Sequence, residues 1–182
     1  MVRCFLAVDL VENLRKDILR IQEALKGTAD IKFVEEENLH LTLWFFGEIS
    51  KEQVKLITTK VKEGVRNFKP FELELKRLGV FPNPSYVRVI WIGAENESLR
   101  KLYQRIKERL KEIGFREERE FHPHLTIGRV RRVLNREKLL SKLKELEEVE
   151  IGKMEVREIK LKKSTLTNRG PIYEDLEVFE LG

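Results

Sequence analysis

ENLRKDILRIQEALK at residues 12–26 is written again as ESLRKLYQRIKERLK at residues 97–111. Aligned without gaps at an offset of 85, the two stretches agree at 9 of 15 positions. Both place apolar residues at helical spacing: Leu14, Ile18, Ile21 and Leu25, then Leu99, Tyr103, Ile106 and Leu110. An amphipathic helix can recur by composition alone, because Leu, Lys, Glu and Arg are common. The flanking segments decide the matter, and they recur too. VRCFLAV (2–8) precedes the first helix and VRVIWIG (87–93) the second, both short, apolar and β-prone. HLTL (40–43) and HLTI (124–127) follow at nearly equal distances. A second helix then opens in each copy. Ser50 and Gln53 form a capping box ahead of Val54, Ile57, Val61 and Val65. Asn135 caps the counterpart carrying Leu139, Leu143 and Leu146. An alternating strand closes each copy, with Phe71, Leu73 and Leu75 in one and Met154 and Val156 in the other. Paired polar residues, Lys76-Arg77 and Arg157-Glu158, break the alternation and predict a bulge in each.

Each half therefore reads β-α-β-α-β. The expected fold is α+β and duplicated, with two lobes related by a pseudo-twofold axis. Antiparallel-rich sheets line a central cleft, and helices lie outside. One bilobal domain spans 1–182, its lobes contributed by approximately 1–85 and 86–182. The boundary is the loop Phe81-Pro82-Asn83-Pro84-Ser85, and Ile172–Leu181 is expected as the last strand.

A length of 182 residues suits one domain, and 41% apolar residues suffice for its core. Lys and Arg exceed Asp and Glu by 36 − 31 = 5, which leans towards an anionic partner. The 37% charged content resembles that of proteins from hot habitats. The lone cysteine, Cys4, excludes an intramolecular disulfide and a cysteine zinc site, and reads as a buried small hydrophobe. No apolar run approaches the ~18 residues of a membrane span, and no secretory leader is evident. A soluble, cytoplasmic monomer without a membrane association is expected.

Side chains alternate along a strand, so His40 and Thr42 share one face while Leu41 and Leu43 share the other. The same holds for His124 and Thr126 against Leu125 and Ile127. The pseudo-twofold axis would bring both His/Thr pairs to one cleft. Two imidazoles and two hydroxyls suit phosphodiester cleavage. One histidine takes a proton from the attacking oxygen and the other gives one to the leaving oxygen, near a pKa of about 6.5. Thr42 and Thr126 can donate hydrogen bonds to non-bridging phosphate oxygens, and Arg129 can add a charge-assisted one. One His-x-Thr alone says little. Two at matched places, in a chain with three histidines, say much more. A three-histidine metal site with His122 is not expected, because no carboxylate stands at ligand spacing beside it. Arg131 and Arg132 continue the basic run after Arg129 and are candidates for holding RNA phosphates or for a solvated loop. Arg3 and Arg88 occupy matched strand positions and are candidates for the cleft lining. One of Trp44, Phe45 and Phe46 can offer a base a stacking face, although core packing is the commoner use of such residues.

The chain resembles the 2H phosphoesterase superfamily, named for two His-x-Thr-x motifs, and within it the RNA 2′,3′-cyclic phosphodiesterases, historically called 2′-5′ RNA ligases. The similarity runs from RCFLAVDL (3–10) through NLHLTLWFFGEI (38–49) and FHPHLTIGRV (121–130) to STLTNRGPIYEDLEVFEL (164–181). It implies opening of a 2′,3′-cyclic phosphate at an RNA end to a 2′-phosphomonoester, and a reverse 2′-5′ joining reaction; from the residues, with two histidines to serve as acid and base, no metal or cofactor is expected. It also implies that His124 is the proton acceptor and His40 the proton donor. The residues alone leave those two roles open, since the repeat makes the sites nearly equivalent. In either case one imidazole starts neutral and the other protonated, which predicts a bell-shaped rate–pH profile. Two alternatives remain: the same site acting on a small cyclic nucleotide or a tRNA-splicing product, and a non-catalytic RNA-binding module.

Overall fold

The computed structural model describes residues 1–182. The chain runs β1 (Val2–Asp9), α1 (Arg15–Leu25), β2 (Ala29–Phe33), β3 (His40–Ile49), α2 (Lys51–Val65), β4 (Phe71–Asn83) and β5 (Tyr86–Gly93). It continues with α3 (Glu97–Lys111), β6 (His124–Val133), α4 (Arg136–Glu145), β7 (Glu150–Val156), β8 (Glu158–Thr167) and β9 (Gly170–Glu180). The expected capping box is present: Gln53 N–H donates to Ser50 Oγ at 3.1 Å, and Ser50 N–H donates to Gln53 Oε1 at 2.9 Å. Asn135 accepts from Lys138 N–H at 3.0 Å, and Asn96 does the same for Leu99 at the start of α3.

All nine strands join one antiparallel sheet, in the order β7-β4-β5-β6-β3-β1-β8-β9, with β2 also paired to β6. The two motif strands meet at its centre. Their one register pair is Leu41 opposite Leu125, after which β3 parts from β6 and β2 takes the place beside it from Gly128 onward. This divergence opens the cleft. Leu41, Leu43, Leu125 and Ile127 turn to the helix side and are buried, while the histidines and threonines between them are half-buried on the other face. Beneath the sheet, Ile18, Leu25, Ile57, Leu99, Leu102 and Ile106 complete a continuous core, which also takes in Cys4. Each such side chain contributes roughly 1.5–3 kcal/mol by leaving water. No helix is long and apolar enough to cross a membrane.

The duplication is visible in the sheet: β6 mirrors β3, β5 mirrors β1, and β4 mirrors β8. The lobes, however, are not residues 1–85 and 86–182. β4 belongs to the first half of the sequence but pairs with β5 of the second, whereas β8 belongs to the second half but pairs with β1. Both positions at which a bulge was expected mark a change of strand partner, the first as a bulge and the second as a break between two strands. At the first, the pairing of β4 shifts register at Lys76, and Arg77 takes a left-handed φ of 68°. Before it, β4 pairs with β7, Leu73 facing Met154; after it, β4 pairs with β5. At the second, Arg157 divides β7, which faces β4, from β8, which faces β1.

Candidate active site

β3 and β6 begin at the two histidines, and the same backbone device holds both rings. His40 Nδ1 lies 2.7 Å from the carbonyl oxygen of Asn38, and His124 Nδ1 lies 2.5 Å from that of His122. A carbonyl accepts only, so each Nδ1 carries a hydrogen and each Nε2 is left for chemistry. His40 Nε2 lies 3.0 Å from Thr42 Oγ1. The ring of Phe5 is centred 4.9 Å from His40, and Tyr173 meets His40 edge-on at 5.4 Å. Phe81 meets His124 edge-on at 5.0 Å, with Trp91 at 6.1 Å.

All five residues singled out from the sequence line one cavity of about 550 Å³: His40, Thr42, His124, Thr126 and Arg129. Burial holds both imidazoles below their ordinary proton affinity, and the carbonyl bonds to Nδ1 work against that shift. The positive charge of Arg129 lowers both further, and it also lowers the Tyr173 hydroxyl, which burial raises on balance. One guanidinium thus acts on all three groups.

The pseudo-symmetry ends behind the rings. Asp9 is the register partner of His40, and Gly93 is the partner of His124. Asp9 is held 3.0 Å from Lys160 and 3.0 Å from Lys162, and Asp175 bridges the same two ammonium groups at 3.1 and 2.9 Å. Among the charges acting on His40, that of Asp9 raises its proton affinity while those of Lys162 and Arg129 lower it. His124 has only His122 and Arg129 as charged neighbours of this kind, and both lower it.

Other candidates separate cleanly. Arg3 lines the cavity, with its guanidinium 4.9 Å over the exposed ring of Phe45. Arg88 does not, and instead donates to the Tyr86 hydroxyl at 3.3 Å. The registers explain why. Asp9 and Gly93 correspond at an offset of 84, so the 85-residue alignment of β1 with β5 is one residue out of step. A one-residue slip turns every side chain to the other face. Of the three aromatic residues after the first motif, Phe45 lines the cavity, whereas Trp44 is buried and stacks on Tyr103. His122 is exposed, with Nε2 3.9 Å from Glu120, and it contributes its carbonyl rather than its ring. No group of three or more His, Cys, Asp or Glu is placed to hold a metal ion. Phe5, Ser164 and Tyr173 also line the cavity and were not singled out from the sequence. The alternation Arg3, Phe5, Ala7, Asp9 on β1 was the one available signal for Phe5 and Asp9. Tyr173 comes from β9, at the far edge of the sheet order.

The chain is similar to known proteins along nearly its whole length. Residues 10–166 match the 2′-5′ RNA ligase superfamily. A Methanothermobacter thermautotrophicus protein named RNA 2′,3′-cyclic phosphodiesterase is 49% identical over 182 residues, covering 99% of each chain. A protein of the same name from Methanocaldococcus jannaschii is 45% identical over 95% of this chain and 97% of its own. Among solved structures, the Thermus thermophilus protein TT0787 superposes with a TM-score of 0.86 at 29% identity, covering 98% of this chain and 97% of that one. E. coli LigT complexed with 3′-AMP superposes with a TM-score of 0.76 at 25% identity, covering 99% and 98%. With two His-x-Thr strands paired at the heart of a duplicated sheet, and with relatives alike from end to end, the chain belongs to the 2′-5′ RNA ligase superfamily.

Proposed function

We propose that the chain opens 2′,3′-cyclic phosphates at RNA ends to 2′-phosphomonoesters, with His124 as base, His40 as acid and no metal in the reaction. The observation that carries this is the Leu41–Leu125 pair, which sets both Nδ1-anchored imidazoles into one cavity with Arg129. His124 Nε2 takes a proton from water as its oxygen bonds to phosphorus. The P–O3′ bond breaks, and protonated His40 gives its Nε2 proton to the departing 3′-oxygen. The product carries a 2′-phosphate and a free 3′-hydroxyl. His40 ends neutral and His124 protonated, and exchange with solvent resets both. Thr42, Thr126 and Arg129 hold the non-bridging oxygens. With a 5′-hydroxyl attacking in place of water, the same steps join two RNA ends through a 2′-5′ linkage, and run backwards they break that linkage and close the ring. The names of the Methanothermobacter and Methanocaldococcus relatives point to the same substrate.

The charges behind the rings favour these roles. A carboxylate at Asp9 helps His40 keep a proton, and no carboxylate stands at Gly93 to do the same for His124. In kcat/KM, both limbs of the bell should lie on the acid side of an ordinary histidine, about 6.5, because burial lowers both rings in the free protein. Asp9→Asn removes the raising charge, so His40 loses its proton at lower pH. The alkaline limb is expected to move to lower pH while the acid limb, set by His124, stays. Rate–pH profiles of the two proteins test this, and a shift of the acid limb instead would reverse the roles.

The function itself is tested with an RNA oligonucleotide ending in a 2′,3′-cyclic phosphate, incubated with EDTA. Opening to the 2′-phosphate at an undiminished rate is expected. Opening that stops with EDTA and returns with a divalent ion would overturn the metal-free mechanism. Binding without opening would leave a binding module.

A further inference from the structure

Away from the catalytic cleft, the far ends of β5 and β6 and the start of α4 enclose a second concavity of about 210 Å³. Arg88, Arg131, Arg132 and Arg136 line it beside Tyr86, whose ring is 60% exposed. This chain pairs many of its surface cations, yet Arg88, Arg132 and Arg136 lie within 4 Å of no carboxylate, and Arg131 has only Asp30 at 3.9 Å. Arg88 instead packs 5.6 Å over the Tyr86 ring, and Arg136 donates to the Ser85 carbonyl at 3.3 Å. Three guanidinium groups without counter-charges, beside a fourth that has one carboxylate at 3.9 Å, repel one another, and an anion offsets that cost.

We propose that this concavity is a docking site for the phosphate backbone of a single-stranded RNA whose cyclic end lies in the catalytic cleft, with Tyr86 offering a face on which a base stacks. The proposal rests on the reading of that cleft given above. A cationic track joins the two places. Arg129 lines the cavity, Lys32 is its register partner on β2, and Arg131 and Arg132 follow on β6. Arg132 lies 8 residues beyond His124 on the strand, about 26 Å at ~3.3 Å per residue. At a stacked rise of ~3.4 Å per nucleotide, RNA reaches across it with about eight nucleotides. Guanidinium forks suit phosphate oxygens, and aromatic faces accept any base, so the site would read length rather than sequence.

The test compares a dinucleotide and a 15-nucleotide single strand, both ending in a 2′,3′-cyclic phosphate, with the wild type and with Arg88→Ala/Arg136→Ala. The wild type is expected to prefer the longer substrate. Loss of two phosphate contacts should lower kcat/KM for the 15-mer about tenfold at low salt, and reduce its logarithmic salt slope by about 1.4. The dinucleotide should be turned over at an unchanged rate, and Arg88→Lys/Arg136→Lys should restore most of the salt slope. Equal losses on both lengths, or no loss on either, would overturn the docking site. If neither substrate is opened, the proposed function fails, and direct titration of the 15-mer still decides the docking site. Weaker binding by the alanine variant supports it, and equal binding refutes it.

Discussion

His124→Ala is expected to lower kcat on an RNA 2′,3′-cyclic phosphate by roughly 10²–10⁴, the usual contribution of a placed general acid or base. His40→Ala should lose a similar factor, because the attacking and leaving oxygens each need their own proton transfer. The double variant should be scarcely worse than either single one, since two groups serving one transition state do not act additively. Both rings are half-buried on the cleft face, so the fold should persist, and circular dichroism and the thermal midpoint check this. Binding of the substrate should change far less than kcat, because Arg129 and the two threonines remain. A variant within tenfold of the wild type would remove that histidine from the chemistry.

Leu125→Ala should have the largest effect on stability. Leu125 is 1% exposed and is the register partner of Leu41 at the one point where the motif strands meet. Truncating such a leucine costs about 2–5 kcal/mol, against a total stability of about 5–15 kcal/mol. For a chain of this size each kcal/mol moves the thermal midpoint by roughly 2–4 °C. Activity should fall below what the folded fraction allows, because loosening this pair moves one imidazole relative to the other, and ~1 Å of misplacement can cost ~10²-fold. Leu134→Ala is the control, since Leu134 is 54% exposed and should leave the midpoint almost unchanged. Equal midpoints for the two variants would mean that the Leu41–Leu125 pair does not anchor the cleft.

The helices and the two motif strands were legible because their periodicity is local and because the repeat wrote each of them twice. That His40, Thr42, His124 and Thr126 share one cavity was legible for a related reason: alternation on HLTL and HLTI fixes which face each side chain takes. Less local features were not. β2 spans only Ala29–Phe33, a five-residue strand with no counterpart among the elements of the second half, so neither alternation nor repetition announces it. The exchange of β4 and β8 between lobes depends on which edges pair, which composition does not encode. The offset of 85, correct for the helices, misaligned β1 with β5 by one residue and so matched Arg3 with Arg88. The carbonyl supports of His40 and His124 come from the backbone of Asn38 and His122 and are independent of those residues' identities. That is why the dissimilarity of Asn38 and His122 concealed their shared role.

The strand exchange also governs how the molecule comes apart. β1 lies between β3 of its own half and β8 of the other, and β5 between β6 of its own half and β4 of the other. Neither half can close its sheet alone, and freeing one lobe takes away an inner strand of its neighbour. The topology is that of a strand-swapped dimer written on one chain. A nick in the turn between Asn83 and Tyr86 would leave two interlocked fragments rather than two separable modules. The cleft between such lobes, with its two histidines, is therefore expected to be lost only when both halves unfold together.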